Sequence, residues 1–169
     1  MKDIVVLLGS SKKDGDTRKA IHDLNAYLSF DVIDLSDYQI GHYDYEHKNS
    51  KDGFIPLIGR IVSYKILIFA TPVYWYAMSG IMKVFFDRVT DLLDYEKDLG
   101  RELRGKDMAV LTSSVGDNLG DSFWLPFKET AKYLGINYVS GLHTLKGRDN
   151  NLQLQDFSKE IILKLNSLV

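Results

Sequence analysis

Four apolar segments rich in branched side chains constrain the fold of this chain more than any other feature. Each is about as long as a β-strand, and continuous apolar strands are typical of sheets covered on both faces. They span residues 3–9, 65–70, 106–114 and 136–142. A weaker segment, FDVIDL at residues 30–35, alternates between apolar and acidic residues, as an edge strand does. The sequence therefore predicts five strands.

Helical patterns separate these strands. They predict helices over residues 16–28, 53–63, 78–93, 122–134 and 152–168. Strands that alternate with helices form a parallel sheet, and right-handed crossovers place helices over both of its faces. We therefore expect a three-layer α/β fold with strand order 2-1-3-4-5. In that order ligands bind where the first and third strands end, at the topological switch point.

Composition narrows the function classes. The 169 residues, 45% of them hydrophobic, suit one packed domain over residues 1–169. A formal charge of -2 and a pI of about 6.1 disfavour a nucleic-acid partner and an anionic membrane. No cysteine is present, which excludes thiol chemistry and is compatible with the cytoplasm. The apolar run at the N-terminus is too short to span a membrane and lacks the shape of a cleavable signal, so we expect a cytoplasmic protein.

The first strand leads into GSSKKDGDTRKA, residues 9–20. Hydroxyl side chains, lysines and the unpaired N–H groups of a following helix together form an anion site that suits phosphate. Neither common glycine-rich phosphate motif is present. The alternative is an ordinary polar turn in which Asp16 caps the helix and Thr17 begins it. This loop alone does not decide between the two interpretations.

The third predicted strand ends in TPVYWYAMSG, residues 71–80. Three consecutive rings, Tyr74, Trp75 and Tyr76, point in different directions and cannot all enter one interior. Pro72 stiffens the loop, and a rigid loop with adjacent rings can grip a flat aromatic ligand. The alternative is packing of rings between the loop and the next helix. The position at the expected ligand edge favours a ligand.

The fourth predicted strand ends in SSVGDNLGD, residues 113–121, whose small residues let backbone N–H groups approach a ligand. Alone, it would be interpreted as a plain turn. Together the three loops surround one crevice with sites for a phosphate, a planar ring and close backbone donors. That combination indicates a phosphorylated, flat, aromatic cofactor.

Residues 68–88, IFATPVYWYAMSGIMKVFFDR, carry a family resemblance. They are similar to the pattern of strand, Thr-Pro-x-Tyr-Trp, Met-Ser-Gly and Lys-x-Phe-x-Asp-Arg in the flavodoxin-like NAD(P)H-dependent FMN reductase family. The loop GSSKKDGDT resembles the family's phosphate loop. The resemblance covers nearly the whole chain and implies a flavodoxin-like fold, bound FMN, and NADPH or NADH as electron donor. It also implies a small-molecule electron acceptor and a homodimer.

Carried over by position, the resemblance implies that Ser10, Lys12 and Thr17 contact the FMN phosphate. The residues along the flavin ring and ribityl chain would be Pro72, Val73, Tyr74 and Trp75, with Ser113, Ser114, Val115 and Gly116 on the other side. Lys83 and Arg88 are expected to be structural.

Two departures from the family pattern stand out. Asp16 replaces an asparagine of the phosphate loop, and its carboxylate would repel phosphate unless it turns away or is offset by Lys12, Lys13 and Arg18. The long polar segment 36–53 lacks the cysteines of many relatives and is a candidate lid, in which His42 and His47 are expected to be surface residues.

The leading hypothesis is an enzyme in which FMN passes electrons from a nicotinamide to a quinone, an azo or nitro compound, or free flavin. No side chain is expected to act as a catalytic acid or base. The alternatives are a flavodoxin-type carrier without nicotinamide oxidation and a flavin-free regulatory module.

Overall fold

A computed structural model, which describes residues 3–167, shows one five-stranded parallel sheet. Its strands are β1 (Ile4–Leu8), β2 (Asp31–Asp34), β3 (Ile66–Pro72), β4 (Asp107–Ser114) and β5 (Asn137–Leu145). The spatial order is β2-β1-β3-β4-β5, which confirms the predicted order 2-1-3-4-5. The carboxyl ends of β1, β3 and β4 therefore lie side by side at one edge of the sheet.

Helices cover both faces of this sheet. They are α1 (Asp16–Leu24), α2 (Phe54–Ile61), α3 (Gly80–Arg88), α4 (Asp91–Asp94), α5 (Lys97–Arg101), α6 (Leu125–Leu134) and α7 (Asn151–Ser167), with 3-10 turns at Leu35–Asp37 and Asp121–Phe123. Alternate side chains of β1 enter opposite hydrophobic clusters. Ile4, Val6 and Leu8 pack with α1 and α7, whereas Val5 and Leu7 pack with α2, α3 and α6. The predicted three-layer arrangement is confirmed.

Helix α3 is shorter than the predicted helix over 78–93. It begins at Gly80 because the hydroxyl of Ser79 caps it, accepting the N–H of Met82 at 3.1 Å. It ends at Arg88, after which come Val89 and Thr90, whose β-branched side chains are poor helix formers. The chain then forms the single turn α4. The five-residue helix α5 was not predicted, since so short a segment shows little periodicity.

Strand β5 runs to Leu145, beyond the predicted end at residue 142. The extension depends on Thr144, whose buried hydroxyl donates to the carbonyl oxygen of Thr112 at 3.1 Å. A polar side chain that is satisfied inside the sheet leaves no apolar signal in the sequence. The extra residues pair β5 with the end of β4 at the ligand edge.

No helix among residues 3–167 is long and apolar enough to cross a membrane.

Candidate functional site

The loop from β1 to α1 begins at the sheet edge and is tightly packed there. The N–H of Gly9 donates to the carbonyl oxygen of Ala70 at 2.8 Å. A Cβ at Gly9 would lie 3.0 Å from the Cβ of Met82, so only glycine fits without movement of α3. Ser10 is buried, and its hydroxyl accepts the N–H of Lys12 at 3.3 Å. The loop is therefore fixed at its start and opens to solvent from Ser11 onward.

Helix α1 receives no side-chain cap. Gly15 occupies the N-cap position and Asp16 is the first helical residue, without a capping hydrogen bond. The alternative in which Asp16 caps the helix and Thr17 begins it is therefore wrong. An uncapped helix N-terminus leaves N–H groups for an external acceptor, and a phosphate is a suitable one.

The charges near this helix end differ from the expectation in one respect. A carboxylate oxygen of Asp16 lies 3.9 Å from Nζ of Lys146, a residue just after β5. Arg18 pairs with Asp34 at the end of β2, so its guanidinium is already neutralised and does not offset Asp16. Lys146 offsets Asp16 instead, and no sequence pattern indicates this pairing because the two residues are far apart along the chain.

The three consecutive rings form the tip of a two-residue hairpin. Tyr74 and Ala77 exchange backbone hydrogen bonds of 2.9 and 3.0 Å, and Trp75 and Tyr76 between them have φ of 51° and 62°. Two successive positive φ values define a type I′ turn, which normally takes Asn and Gly. Trp75 is 93% exposed and Tyr76 61% exposed. Two large rings are therefore held out from the protein in a conformation that strains the backbone.

Buried hydroxyl groups attach this hairpin to its neighbours. The N–H of Ser79 donates to Oγ1 of Thr71 at 2.9 Å, and Oγ of Ser79 donates to the carbonyl oxygen of Gly9 at 2.6 Å. Oγ1 of Thr112 donates to the carbonyl oxygen of Thr71 at 2.7 Å. Through these bonds the loops after β1, β3 and β4 share one framework.

The loop after β4 is ordered by its own hydroxyl groups. Oγ of Ser113 lies 2.7 Å from Oγ1 of Thr144. Oγ of Ser114 donates to the carbonyl oxygen of Gly116 at 2.7 Å and also lies 2.7 Å from Nε2 of His143. Sequence reasoning gave His143 no role, because a histidine in a strand has no local motif.

An open cleft of about 210 Å³ lies between the hairpin and the loop after β4. Its lining contains four of the predicted residues, Val73, Trp75, Ser114 and Gly116, together with Tyr76, Asn118 and Leu119. Ser10, Lys12, Asp16 and Thr17 lie on the neighbouring loop and helix end and do not line this cleft. Nor do Pro72, Tyr74, Ser113 and Val115, which belong to the same strand ends and loops.

The segment 36–53 is fastened to α3 by Arg88, which is 1% exposed. Its guanidinium donates to the carboxylate of Asp52, to the carbonyl oxygen of Gly41 at 3.1 Å and to that of Asn49 at 3.2 Å. It also binds Asp91 at 2.7 Å. The predicted structural role of Arg88 is confirmed, and these bonds argue against a freely moving lid.

Asp52 ends this segment and is itself held by several donors. Burial raises the pKa of Asp52, but hydrogen bonds from Arg88 and from the N–H groups of Phe54 and Gly41 outweigh burial and lower its pKa below the ordinary value. The carboxylate form is therefore part of the folded structure.

His47 was expected at the surface, where it lies only partly exposed and in contact with two carboxylates. Its side chain is 26% exposed, with Nδ1 3.3 Å from Asp91 and Nε2 3.8 Å from Asp94. An imidazole and two carboxylates are groups that could bind a metal ion. Arg88 already neutralises Asp91, however, so we interpret the cluster as a hydrogen-bonded extension of the Arg88–Asp91 pair and not as a metal site. His42 is exposed, as expected.

Comparison with known proteins agrees with this geometry. The family model of NADPH-dependent FMN reductases matches residues 2–143, which include β1 to β4 and all three loops. The chain belongs to this family. The predicted family is thereby confirmed, as are FMN and NAD(P)H as the cofactors of the family.

Individual relatives resemble the chain less completely. A protein of Bacillus subtilis that bears the name NAD(P)H-dependent FMN-containing oxidoreductase YwqN is 35% identical over 101 residues, which cover 53% of this chain and 53% of that protein. The chain thus matches about half the length of this relative.

Two solved structures show the same fold. The Trp repressor binding protein of Bacillus subtilis superposes with a TM-score of 0.72 at 22% identity, covering 94% of this chain and 97% of that one. FerB of Paracoccus denitrificans, a flavoenzyme NAD(P)H:(acceptor) oxidoreductase, gives a TM-score of 0.70 at 19% identity, covering 96% of both chains.

Proposed function

We propose that this chain is an NAD(P)H-dependent FMN reductase. One observation carries the proposal. The uncapped N-terminus of α1, with hydroxyl groups around it, is connected to the ring-lined cleft by the hydrogen bond from Ser79 to Gly9. Bound FMN would supply the redox chemistry, taking a hydride from NADPH or NADH and passing reducing equivalents to an acceptor. The protein's own contribution is to bind, orient and shield.

The donors at the start of α1 fit a phosphate ester. We propose that the hydroxyl groups of Ser10 and Thr17 and the ammonium group of Lys12 hold the FMN phosphate, together with the uncapped N–H groups of α1. The carboxylate of Asp16 would repel the phosphate, and the nearby ammonium group of Lys146 reduces that repulsion.

The cleft fits the planar part of the cofactor. Trp75 and Tyr76 contribute aromatic rings to its lining, and Val73 and Leu119 contribute apolar side chains. Within residues 3–167, the N–H groups of Val115 and Gly116 have no hydrogen-bond acceptor. We propose that they donate to the polar edge of the flavin ring and stabilise negative charge there. No side chain acts as an acid or base in this proposal.

We propose that a second copy of the chain completes each site. The cleft of about 210 Å³ is smaller than the roughly 300 to 1,000 Å³ of typical ligand pockets. Trp75 and Val115 are exposed beside it, at 93% and 77%. A homodimer would cover these side chains. Light scattering should then give the mass of a dimer for the wild-type protein and of a monomer for Val115→Glu, and a monomeric wild type would contradict this part of the proposal.

The proposal also covers the electron acceptor, the domain and the cellular location. A cleft open to solvent suits flat acceptors, so we propose a quinone, an azo or nitro compound, or free flavin. We also propose one FMN-binding domain over residues 1–169, located in the cytoplasm. The two hydrophobic clusters that share one sheet and the absence of cysteine support these statements. Detection of the protein in a secreted fraction would contradict the location.

A reductase assay tests the proposed function. The purified protein is incubated with FMN, desalted, and mixed with NADPH or NADH and each class of acceptor. We expect flavin to remain bound and nicotinamide oxidation to depend on both the flavin and the acceptor. A yellow protein that oxidises neither nicotinamide with any acceptor would favour the carrier, and a protein that takes up no FMN would favour a flavin-free module.

A further inference from the structure

His143 lies in β5, behind the loop that lines the cleft. Its Nε2 is 2.7 Å from Oγ of Ser114, and Oγ of Ser114 is 2.7 Å from the carbonyl oxygen of Gly116. Three groups thus form a short chain that leads from the sheet to the lining of the cleft, since Ser114 and Gly116 both line it.

The directions of these hydrogen bonds follow from counting protons. The carbonyl oxygen of Gly116 can only accept, so the single hydroxyl proton of Ser114 must point to it. The opposite choice would place two acceptor oxygens 2.7 Å apart without a proton between them. Oγ of Ser114 is then the acceptor for His143. The imidazole therefore carries its proton on Nε2.

The surroundings of His143 agree with a neutral ring in this tautomer. Burial lowers the pKa of His143, and the more distant charge of Asp117 only partly opposes that effect. Asp117 is itself paired with Arg148 at 3.3 Å. At neutral pH one ring nitrogen carries a proton and the other does not, so the donor to Ser114 is fixed by geometry.

The bond to Gly116 also decides which way the loop presents its backbone. The carbonyl oxygen of Gly116 is held by Ser114, and Val115 between them is exposed. The N–H groups of Val115 and Gly116 are the donors assigned above to the flavin ring. Without the hydrogen bond from Nε2 of His143, the hydroxyl group of Ser114 would be free to rotate. The orientation of the Val115 and Gly116 N–H groups would then no longer be fixed.

We propose that His143 is a positioning residue, which acts through Ser114 to hold the flavin-facing N–H groups of Val115 and Gly116 in place. The proposal rests on the proposed function, because it concerns the grip of this loop on FMN. It adds a residue that the cleft itself does not contain. His143 contacts neither the cofactor nor the substrate and acts only on the loop.

Variants of His143 and Ser114 test this proposal. His143→Leu removes the donor, whereas His143→Gln keeps an N–H at a similar reach. We expect FMN affinity to fall roughly 5- to 10-fold in His143→Leu, with a shifted visible flavin spectrum, and to recover in His143→Gln. His22→Leu, which changes an exposed histidine on α1, is the matched control and should bind FMN like the wild type.

A double-mutant cycle separates positioning from general stability. Ser114→Ala should lose as much FMN affinity as His143→Leu, and the double variant should lose no more than either one. Additive losses, or a leucine variant with wild-type affinity and spectrum, would overturn the proposal. If His143→Leu does not fold, Ser114→Ala is compared with His143→Gln. A loss of FMN affinity in Ser114→Ala alone supports the positioning role of His143, and equal FMN affinity in the two variants overturns it.

A measurement without flavin keeps this test distinct from that of the proposed function. The ¹⁵N spectrum of the histidines in the FMN-free protein should show His143 neutral with its proton on Nε2. A proton on Nδ1 would overturn the positioning role while leaving the reductase proposal intact. A wild-type protein with the Nε2 proton that takes up no FMN would instead refute the proposed function and, with it, the role toward flavin.

Discussion

The hydroxyl group of Ser79 donates a hydrogen bond of 2.6 Å to the carbonyl oxygen of Gly9, seventy residues earlier in the chain. Oγ of Ser79 also caps α3 by accepting the N–H of Met82 at 3.1 Å. One buried side chain thus joins the proposed phosphate loop to the helix that follows the ring-bearing hairpin. The two halves of the site are fixed relative to each other by this contact.

Ser79→Ala should separate these two halves. It removes a helix cap and leaves a buried carbonyl oxygen without its donor, which together cost about 1 to 3 kcal/mol of stability. We expect a lower midpoint in urea denaturation and weaker FMN binding by titration. Ser29→Ala, at an exposed serine between α1 and β2, is the control and should change neither. FMN affinity unchanged in Ser79→Ala would show that the connection does not matter for the site.

The double variant Trp75→Asn/Tyr76→Gly should gain stability and lose function. Asn and Gly suit a type I′ turn, whereas a bulky residue with positive φ costs about 1 to 2 kcal/mol. The rings are mostly exposed, so little packing is lost. We expect a Tm a few degrees higher, with FMN retained poorly on desalting.

Trp124→Ala is the control for that experiment. Trp124 packs against Phe123 and covers Gly141 of β5, and it does not line the cleft. We expect a lower Tm and better FMN retention than in the hairpin variant. Equal retention of FMN in the two proteins would contradict the assignment of the hairpin to the flavin ring.

Asp16→Asn should tighten FMN binding. The carboxylate lies at the helix end where a phosphate carrying negative charge would sit, and Lys146 at 3.9 Å offsets it only in part because both side chains are about half exposed. We expect an increase in affinity of roughly 5-fold, about 1 kcal/mol, which decreases with added salt. Asp23→Asn, at the end of the same helix, should have little effect. Weaker binding in Asp16→Asn would show that the phosphate lies elsewhere.

Arg88→Met should destabilise the protein in a pH-dependent way. It leaves Asp52 and Asp91 without their cation, at a cost of about 3 to 5 kcal/mol at neutral pH. The pKa of Asp52 is lowered in the folded wild type, so its contribution to stability is fully present above its ordinary pKa and is lost as pH falls through the lowered value. The difference in unfolding free energy between the two proteins should therefore narrow below about pH 4.

Lys83→Met provides the comparison for Arg88. Lys83 forms an exposed pair with Asp87 at 2.6 Å, and such pairs contribute about 0.5 kcal/mol. Denaturant titrations at neutral pH and at about pH 3 measure both variants. A difference in unfolding free energy between Arg88→Met and the wild type that is the same at both pH values would contradict the coupling to Asp52.

The sequence predicted the parts of this molecule that depend on local patterns. Apolar strands and intervening helices led to the strand order, and small or cyclic residues after β1, β3 and β4 indicated the ligand edge. Contacts between distant residues left no such pattern. The pairing of Asp16 with Lys146, the contacts of His47 with Asp91 and Asp94, and the bond from His143 to Ser114 all depend on which loops the fold brings together.

The hairpin is a local feature that the sequence also did not predict. Consecutive rings at Trp75 and Tyr76 marked the stretch as unusual, but the type I′ turn itself was hidden because neither residue is one that this turn normally takes. Local propensity and the observed backbone disagree there, and such disagreement is characteristic of functional sites.

The most direct test of the account is the visible absorbance of FMN-loaded, desalted protein during anaerobic addition of NADPH or NADH. We expect a flavin band that stays with the protein and bleaches when one of the two nicotinamides is added. A protein without the band, or a band that neither nicotinamide bleaches, would contradict it.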